Sequence, residues 1–327
     1  HPFFRNLRAP HPSGATKPAS RVVSEACYST DADTKISPLC PDGDTKSTSP
    51  GSGVNCLAPL AWCEHGTHEA GIAAGSDPRS GYPDYSGIAR EASLISIQVF
   101  SKVDNVGYCQ DPQPCILSLE ADRIRALNRV YELSQEAKGK YRIAAVFMGQ
   151  SVGQYETQAK CEERHICIKL AIDRLASVGI PVIVPSGNDH ERERLGAPAC
   201  FSSTVSVGAT NDKDEVAGFS NVAPPGRLDL LAPGVGIGGA VPTGFEPGDA
   251  QVGCRSGTSM AAARVAGAFA LLAEAEPTAS AYDILDALRS TGVPIDDERP
   301  GGEAEDLPRI DVCAALRLLT NSSEPCP

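Results

Sequence analysis

From Met260 to Leu272 every residue is apolar or small except Arg264, with alanines on all sides. A helix built from this run has no polar face to turn to water, so it belongs inside a core large enough to cover it all round. That requirement excludes a small or extended fold and makes the helix N-terminus a fixed landmark. The turn leading into it, Arg255-Ser256-Gly257-Thr258-Ser259, brings the Ser259 hydroxyl to the amides and positive dipole end of the helix. An oxyanion formed on a carbonyl under attack is favoured there. An ordinary serine N-cap is the plainer alternative.

The sheet needed to cover such a helix is legible upstream. Leu94 to Phe100 reads as an apolar strand and 116 to 138 as a helix, with Ile124, Leu127 and Tyr131 on one face and Gly139 closing it. Tyr141 to Met148 is the next strand, Cys161 to Val178 a helix ending at Gly179, and Pro181-Val182-Ile183-Val184 a further strand. This alternation predicts an α/β fold, a parallel central sheet with helices on both faces, whose sites lie at the C-terminal ends of the strands. Residues 10 to 63, rich in Pro, Gly, Ser and Thr and holding Cys27, Cys40, Cys56 and Cys63, read as a disulfide-pinned loop region. Residues 296 to 327 read as an acidic tail stapled through Cys313 and Cys326, leaving 1 to 295 as the main domain.

Composition narrows the function classes. The net charge of −12 comes without a Lys/Arg block, which argues against nucleic acid and anionic membrane surfaces as partners. No apolar run reaches the ~18 residues of a membrane span. Twelve cysteines, among them the close pairs Cys56/Cys63, Cys109/Cys115, Cys161/Cys167 and Cys313/Cys326, and no C-x-x-C pair, favour local disulfides and a secreted or extracytoplasmic protein.

Two further stretches give Ser259 chemical company. Glu64-His65-Gly66-Thr67-His68-Glu69-Ala70-Gly71 opens a small-residue helix with a histidine, and Pro185-Ser186-Gly187-Asn188 ends an apolar strand with an amide. Together they offer Ser259 as nucleophile, His65 as its base and Asn188 as an oxyanion donor. A metal reading of His65, His68 and Glu69 fails, because H-x-x-H is one residue short of the i,i+4 spacing in H-E-x-x-H, so no metal or other cofactor is expected. Glu69, four residues after His65, lies on roughly the same helical face, where it either meets solvent or perturbs the base.

These motifs resemble those of the subtilisin-like serine proteases, the subtilases, whose histidine motif reads HGTHxAG and whose serine motif reads GTSMAxP. Gly87-Ile88-Ala89, Leu94 to Val99, Val216-Ala217-Gly218-Phe219-Ser220-Asn221 and Asp229-Leu230-Leu231-Ala232-Pro233-Gly234 extend the likeness from His1 to about residue 295. The resemblance implies a monomeric serine endopeptidase acting on proteins or peptides through an acyl-enzyme, with His65 as base and His68 structural. It also implies a catalytic aspartate, followed by Thr-Gly or Ser-Gly, several residues before a His-Pro like His1-Pro2. No such tripeptide occurs here, so the expectation is an aspartate upstream of His1 and a 327-residue piece that is nearly inactive alone.

Two departures from the family pattern carry consequences. Where relatives read Asn-Met-Ser-Leu-Gly-Gly, the strand that pairs with substrate, this chain has Phe147-Met148-Gly149-Gln150-Ser151-Val152-Gly153; Met148, Gly149, Gln150 and Ser151 are the expected substrate-binding residues. Gly149 to Gly153 also matches G-x-S-x-G, the nucleophile elbow of an α/β-hydrolase, which would make Ser151 the nucleophile of an esterase. Glu69 replaces an apolar residue, which, with the altered 147 to 153 run and the absent aspartate, motivates a degenerate, peptide-binding alternative.

Overall fold

The computed structural model describes residues 1–4, 20–32, 34–41, 43–57, 60–76, 85–105, 107–109, 114–136, 140–223, 226–246 and 251–323. They form two compact units. One comprises His1–Ser86, Arg90–Lys140 and Gly239–Gly253, the other Gly87–Ala89, Tyr141–Gly238 and Cys254–Pro327.

The first unit is built on the strand Val22–Tyr28, which pairs in parallel with Leu94–Gln98 and antiparallel with Lys46–Ser47. This corrects the reading of 10 to 63 as loop. Val22-Val23-Ser24-Glu25-Ala26-Cys27-Tyr28 has the β-branched and aromatic residues of a strand, and Ala26, Cys27 and Tyr28 are buried. Disulfides join Cys27 to Cys40 and Cys56 to Cys63 within the same region. The expected 116 to 138 helix runs only from Glu120 to Gln135, because Cys115–Leu117 is drawn into an antiparallel ladder with Ser101–Val103. Its buried side includes Leu127, Val130 and Leu133.

Arg21 knits this unit together. Its guanidinium donates to the carbonyls of Phe3 (2.6 Å), Ala74 (2.6 Å) and Ala92 (2.6 Å), tying the N-terminal turn and the end of the His65 helix to the approach of the Leu94 strand. Burial pulls its pKa down, yet the three carbonyls satisfy the charge. Arg21→Met leaves those carbonyls without a donor, and we expect it to cost about 2–4 kcal/mol of unfolding free energy, read as a lower urea midpoint.

In the second unit the strand order is Val293–Ile295, Leu307–Arg309, Leu230–Pro233, Thr204–Thr210, Val182–Pro185, Val146–Phe147. The pairs from Leu307–Arg309 to Val146–Phe147 are parallel, and Val293–Ile295 closes the far side antiparallel. The parallel core strands are wholly buried, as continuous apolar runs such as Val182-Ile183-Val184 require. The fold class is therefore as expected, although the Tyr141 strand is shorter than its apolar run. The Cys161 helix divides at His165 into Gln158–Arg164 and Ile166–Ala176, where His165 leaves helical geometry and its ring meets the Tyr155 hydroxyl at 2.8 Å.

Cys161 pairs with Cys200, not Cys167. Cys161 faces the core and Cys167 is exposed on the next helix, so proximity in sequence did not bring the two sulfurs together. The pairing of Cys109 with Cys115 is as expected. Cys313 is disulfide-bonded, and Cys326 lies outside the described residues. Part of the expected tail belongs to the sheet, because Leu307–Arg309 pairs there and Val312–Thr320 forms a helix. Among the described residues no helix is long and apolar enough to cross a membrane.

The central helix is Thr258–Ala275. It is buried along its first turns, with Arg264, Ala270 and Leu271 half-buried, and packs on Ile183, Val207, Ala209 and Leu230. Alanines at 261, 262, 266 and 273 let it lie close to the sheet without a polar atom in the contact.

Candidate active site

Gly257, in extended backbone, is the residue that precedes the central helix, so Ser259 is its second helical residue and not its cap. The plainer reading of Ser259 as an N-cap is thereby removed. The capping role falls to another side chain. Asn188 Oδ1 accepts hydrogen bonds from the Thr258 amide (2.9 Å) and the Thr258 hydroxyl (2.9 Å). Two donors on one side of the amide fix which atom is oxygen, and Asn188 Nδ2 is left as the donor facing the other way.

What that donor faces can be read from Gly257. A Cβ placed there would stand 3.5 Å from Asn188 Nδ2, 3.5 Å from Ser259 Oγ and 3.4 Å from Met260 Sδ. The space beside Gly257 is thus bounded at once by a hydroxyl and an amide donor. Ser259 is 5% exposed, and its Oγ lies 3.5 Å from Met260 Sδ, a weak acceptor. The first-turn position also sets it at the positive end of the helix dipole. An attacking oxygen and a stabilising donor around one opening is the arrangement that acyl transfer requires.

Asn188 is itself held from below. Gly187 has φ +115, and a side chain there would collide with the Asn221 amide. Asn221, fully buried, accepts from the amides of Asp189 (2.8 Å) and Glu191 (3.1 Å) and donates to Asp189 Oδ2 (3.1 Å). It therefore pins the turn that carries Asn188. Sequence reading named the Ser220-Asn221 stretch only as part of a motif and gave Asn221 no task. A buried amide two strands away has no local signal that would reveal it.

His65 belongs to the other unit. It opens the helix His65–Ala74, whose glycine at 71 is required by packing: a Cβ there would lie 2.5 Å from the Tyr85 hydroxyl. Burial pushes the Tyr85 phenol well above its ordinary pKa, so it stays neutral in that contact. Gly66, by contrast, has open space around it. His68 is fully buried and its Nε2 meets the Gly253 carbonyl at 3.0 Å, the behaviour of a structural histidine. Glu69 turns inward. Its side chain is 7% exposed, and Oε1 stands 2.8 Å from His65 Nε2. The Trp62 ring lies on the outer side, 5.8 Å from the imidazole between centroids, and is 60% exposed.

A model of the subtilase family matches residues 47–306. The chain belongs to the subtilase family. It is 38% identical to Subtilisin NAT of Bacillus subtilis subsp. natto over 127 residues, 38% of this chain, and spans 31% of that protein's length. Over 71% of its length this subtilase is 27% identical to Subtilisin DY of Bacillus licheniformis, covering 72% of it. Its fold is similar to that of the prenylagaramide maturation protease PagA (TM-score 0.62, 22% identity, 80% and 83% of the two chains). It is likewise similar to a protease of Pseudoalteromonas arctica PAMC 21717 (TM-score 0.64, 19% identity, 91% and 84%).

The Ser151 elbow has no structural support in this subtilase. A nucleophile elbow turns from a strand into a helix, whereas Ser151 is followed by the strand Val152–Tyr155, paired antiparallel with Leu195–Ala197. Met148 continues the edge strand, its amide bonding the Ile183 carbonyl at 3.0 Å. Gly149 and Gln150 are half-buried and Ser151 is exposed.

Proposed function

We propose that this subtilase is a serine endopeptidase that hydrolyses peptide bonds in proteins through an acyl-enzyme, with Ser259, His65 and Asn188 as its catalytic residues. The observation that carries the reading is that Ser259 Oγ and Asn188 Nδ2 both lie 3.5 Å from the position a Cβ on Gly257 would take. In the first step the Ser259 O–H bond breaks, its proton passes to the His65 imidazole, and the oxygen lone pair bonds the scissile carbonyl carbon. The carbonyl π pair moves onto oxygen, where the Asn188 amide and the helix N-terminus receive the charge. Collapse returns the pair, breaks the C–N bond, and the leaving amine takes the proton from His65. Water then repeats the sequence and frees Ser259.

Met148, Gly149, Gln150 and Ser151 follow an edge strand of the sheet, so an extended substrate can pair with their backbone as an added strand. The disulfides fit a secreted protein working as a monomer on protein or peptide substrates.

A fluorophosphonate probe added to the full chain, followed by peptide mapping, is expected to modify Ser259. Modification of Ser151 would replace this reading with an esterase. No modification of either serine would leave a peptide-binding module.

A further inference from the structure

We propose that Trp62 is a specificity-determining residue, an aromatic wall beside the base that selects substrates carrying a large apolar or aromatic side chain next to the scissile bond. The inference deepens the reading of His65 as the base and rests on it. A single apolar side chain at a protein surface is ordinary and carries no message. Between 54 and 62, however, three large ones stand out on one short stretch: Val54 is 49% exposed, Leu57 78% and Trp62 60%. Apolar surface gathered in this way, on a loop that runs directly into the helix bearing the base, marks a place where another molecule lies.

The stretch is anchored at both ends. At its start the Gly51 amide donates to the Glu25 carboxylate (2.7 Å), the Ser96 hydroxyl donates to the Gly53 carbonyl (2.6 Å), and Ser52 between them is buried. At its end the Cys56–Cys63 disulfide closes the loop, and the Trp62 carbonyl accepts from the His65 amide at 3.1 Å. Trp62 itself has φ 70, in the left-handed region, where a bulky residue is rare and persists only if its surroundings fix it. That backbone brings the indole to the imidazole of His65, with 5.8 Å between ring centroids and the planes tilted by 46°.

A general base works only within hydrogen-bond reach of the proton it moves, so the bond being cleaved stands close to the imidazole. A residue flanking that bond then lies within a side chain's length of the indole. Covering the exposed indole with an apolar or aromatic side chain takes both surfaces out of water, and an offset or edge-to-face ring contact adds to the gain. Alanine is too short to do so, and an acidic side chain meets the negative face of the ring. Val54 and Leu57 are aliphatic, so they supply no second ring with which to cage a cation.

Trp62 is the single tryptophan of the chain, so its emission reports contact without turnover. The probes are peptides in which each of the two residues on either side of the bond is set in turn to Phe, Leu, Ala, Lys or Asp. Added to Ser259→Ala at concentrations that calorimetry shows to saturate, peptides with Phe or Leu at one of these positions are expected to shift the emission to the blue, and the Ala peptide to leave it nearly unmoved. In the full chain kcat/KM should favour Phe or Leu at that same position over Ala by at least about tenfold. Trp62→Ala should lower kcat/KM for the Phe and Leu peptides by about 10–50-fold and leave the Ala peptide within about threefold, while Trp62→Phe keeps most of the preference. Emission unmoved by every peptide, a preference untouched by Trp62→Ala, or an equal loss across all peptides overturns the inference and leaves His65 as base. A preference for Lys that disappears in Trp62→Ala overturns it as well, in favour of cation recognition. Full turnover in His65→Ala overturns the reading of the base instead. Should Trp62→Ala fail to fold, the emission of Ser259→Ala carries the test, and an unmoved spectrum would sink the proposal.

Discussion

Ser259→Ala is expected to lower kcat by roughly 10⁶-fold, the loss typical when the nucleophile of a Ser-His-acid unit is removed alone. The same variant should no longer react with a fluorophosphonate. Substrate affinity and fold should stay close to wild type. Ser259 is 5% exposed, and its Oγ lies 3.5 Å from the Met260 sulfur, a weak acceptor. A peptide inhibitor titrated calorimetrically against Ser259→Ala should therefore bind within a few-fold of wild type. Turnover persisting within tenfold would exclude Ser259 as the attacking atom, since the sequential steps that remain need no particular serine.

The contrast between catalytic and structural roles explains how much of this protein was legible in its sequence. The Ser259 helix announced itself because thirteen consecutive positions from Met260 to Leu272 contain one charged residue, and a helix with no wet face has one kind of home. Val182-Ile183-Val184 was equally plain, since a strand buried on both faces must be apolar throughout. Val22–Tyr28 was missed because the residues on either side of it are dominated by turn-forming types, and its Ser24 and Glu25 interrupt the apolar pattern; pairing with Leu94–Gln98 overrode that local signal. Leu307–Arg309 was missed for a related reason, as Pro308 and an acidic neighbourhood read as tail. Disulfide pairing between Cys161 and Cys200 depends on where two helices and a turn meet, which spacing does not encode.

At the site the division is similar. Ser259, His65 and Asn188 stood in recognisable local motifs. The groups that hold them did not. Glu69 was visible as a residue on the right face of its helix, but only burial decides whether such a carboxylate faces solvent or the base, and burial comes from the packing of other segments. Asn221 holds the Asp189 amide across 32 residues of sequence and the Thr258 hydroxyl bonds Asn188 across 70, so neither pairing could be found by inspection.

Asn188 carries two tasks, and one substitution separates them. Its Oδ1 caps the central helix through the Thr258 amide and hydroxyl, while its Nδ2 borders the opening that Ser259 also borders. Asn188→Asp retains an oxygen for the cap and replaces the donor with an acceptor. A carboxylate at a helix N-terminus is favoured by the dipole, so the unfolding midpoint should hold or rise. Catalysis should move the other way. The oxyanion would lose a donor and gain a nearby negative charge, and kcat is expected to fall by at least about 10²–10³-fold, the range for loss of one such donor. Asn188→Ala, which removes both tasks, should show a comparable loss of rate together with a destabilisation of about 1 kcal/mol from the missing cap. Measuring kcat and urea midpoints for the pair distinguishes the roles: an Asp variant that is stable and slow identifies Nδ2 as a catalytic donor. An Asp variant that is stable and fully active would reduce Asn188 to a helix cap, and the opening beside Gly257 would then need its donor from the helix backbone alone.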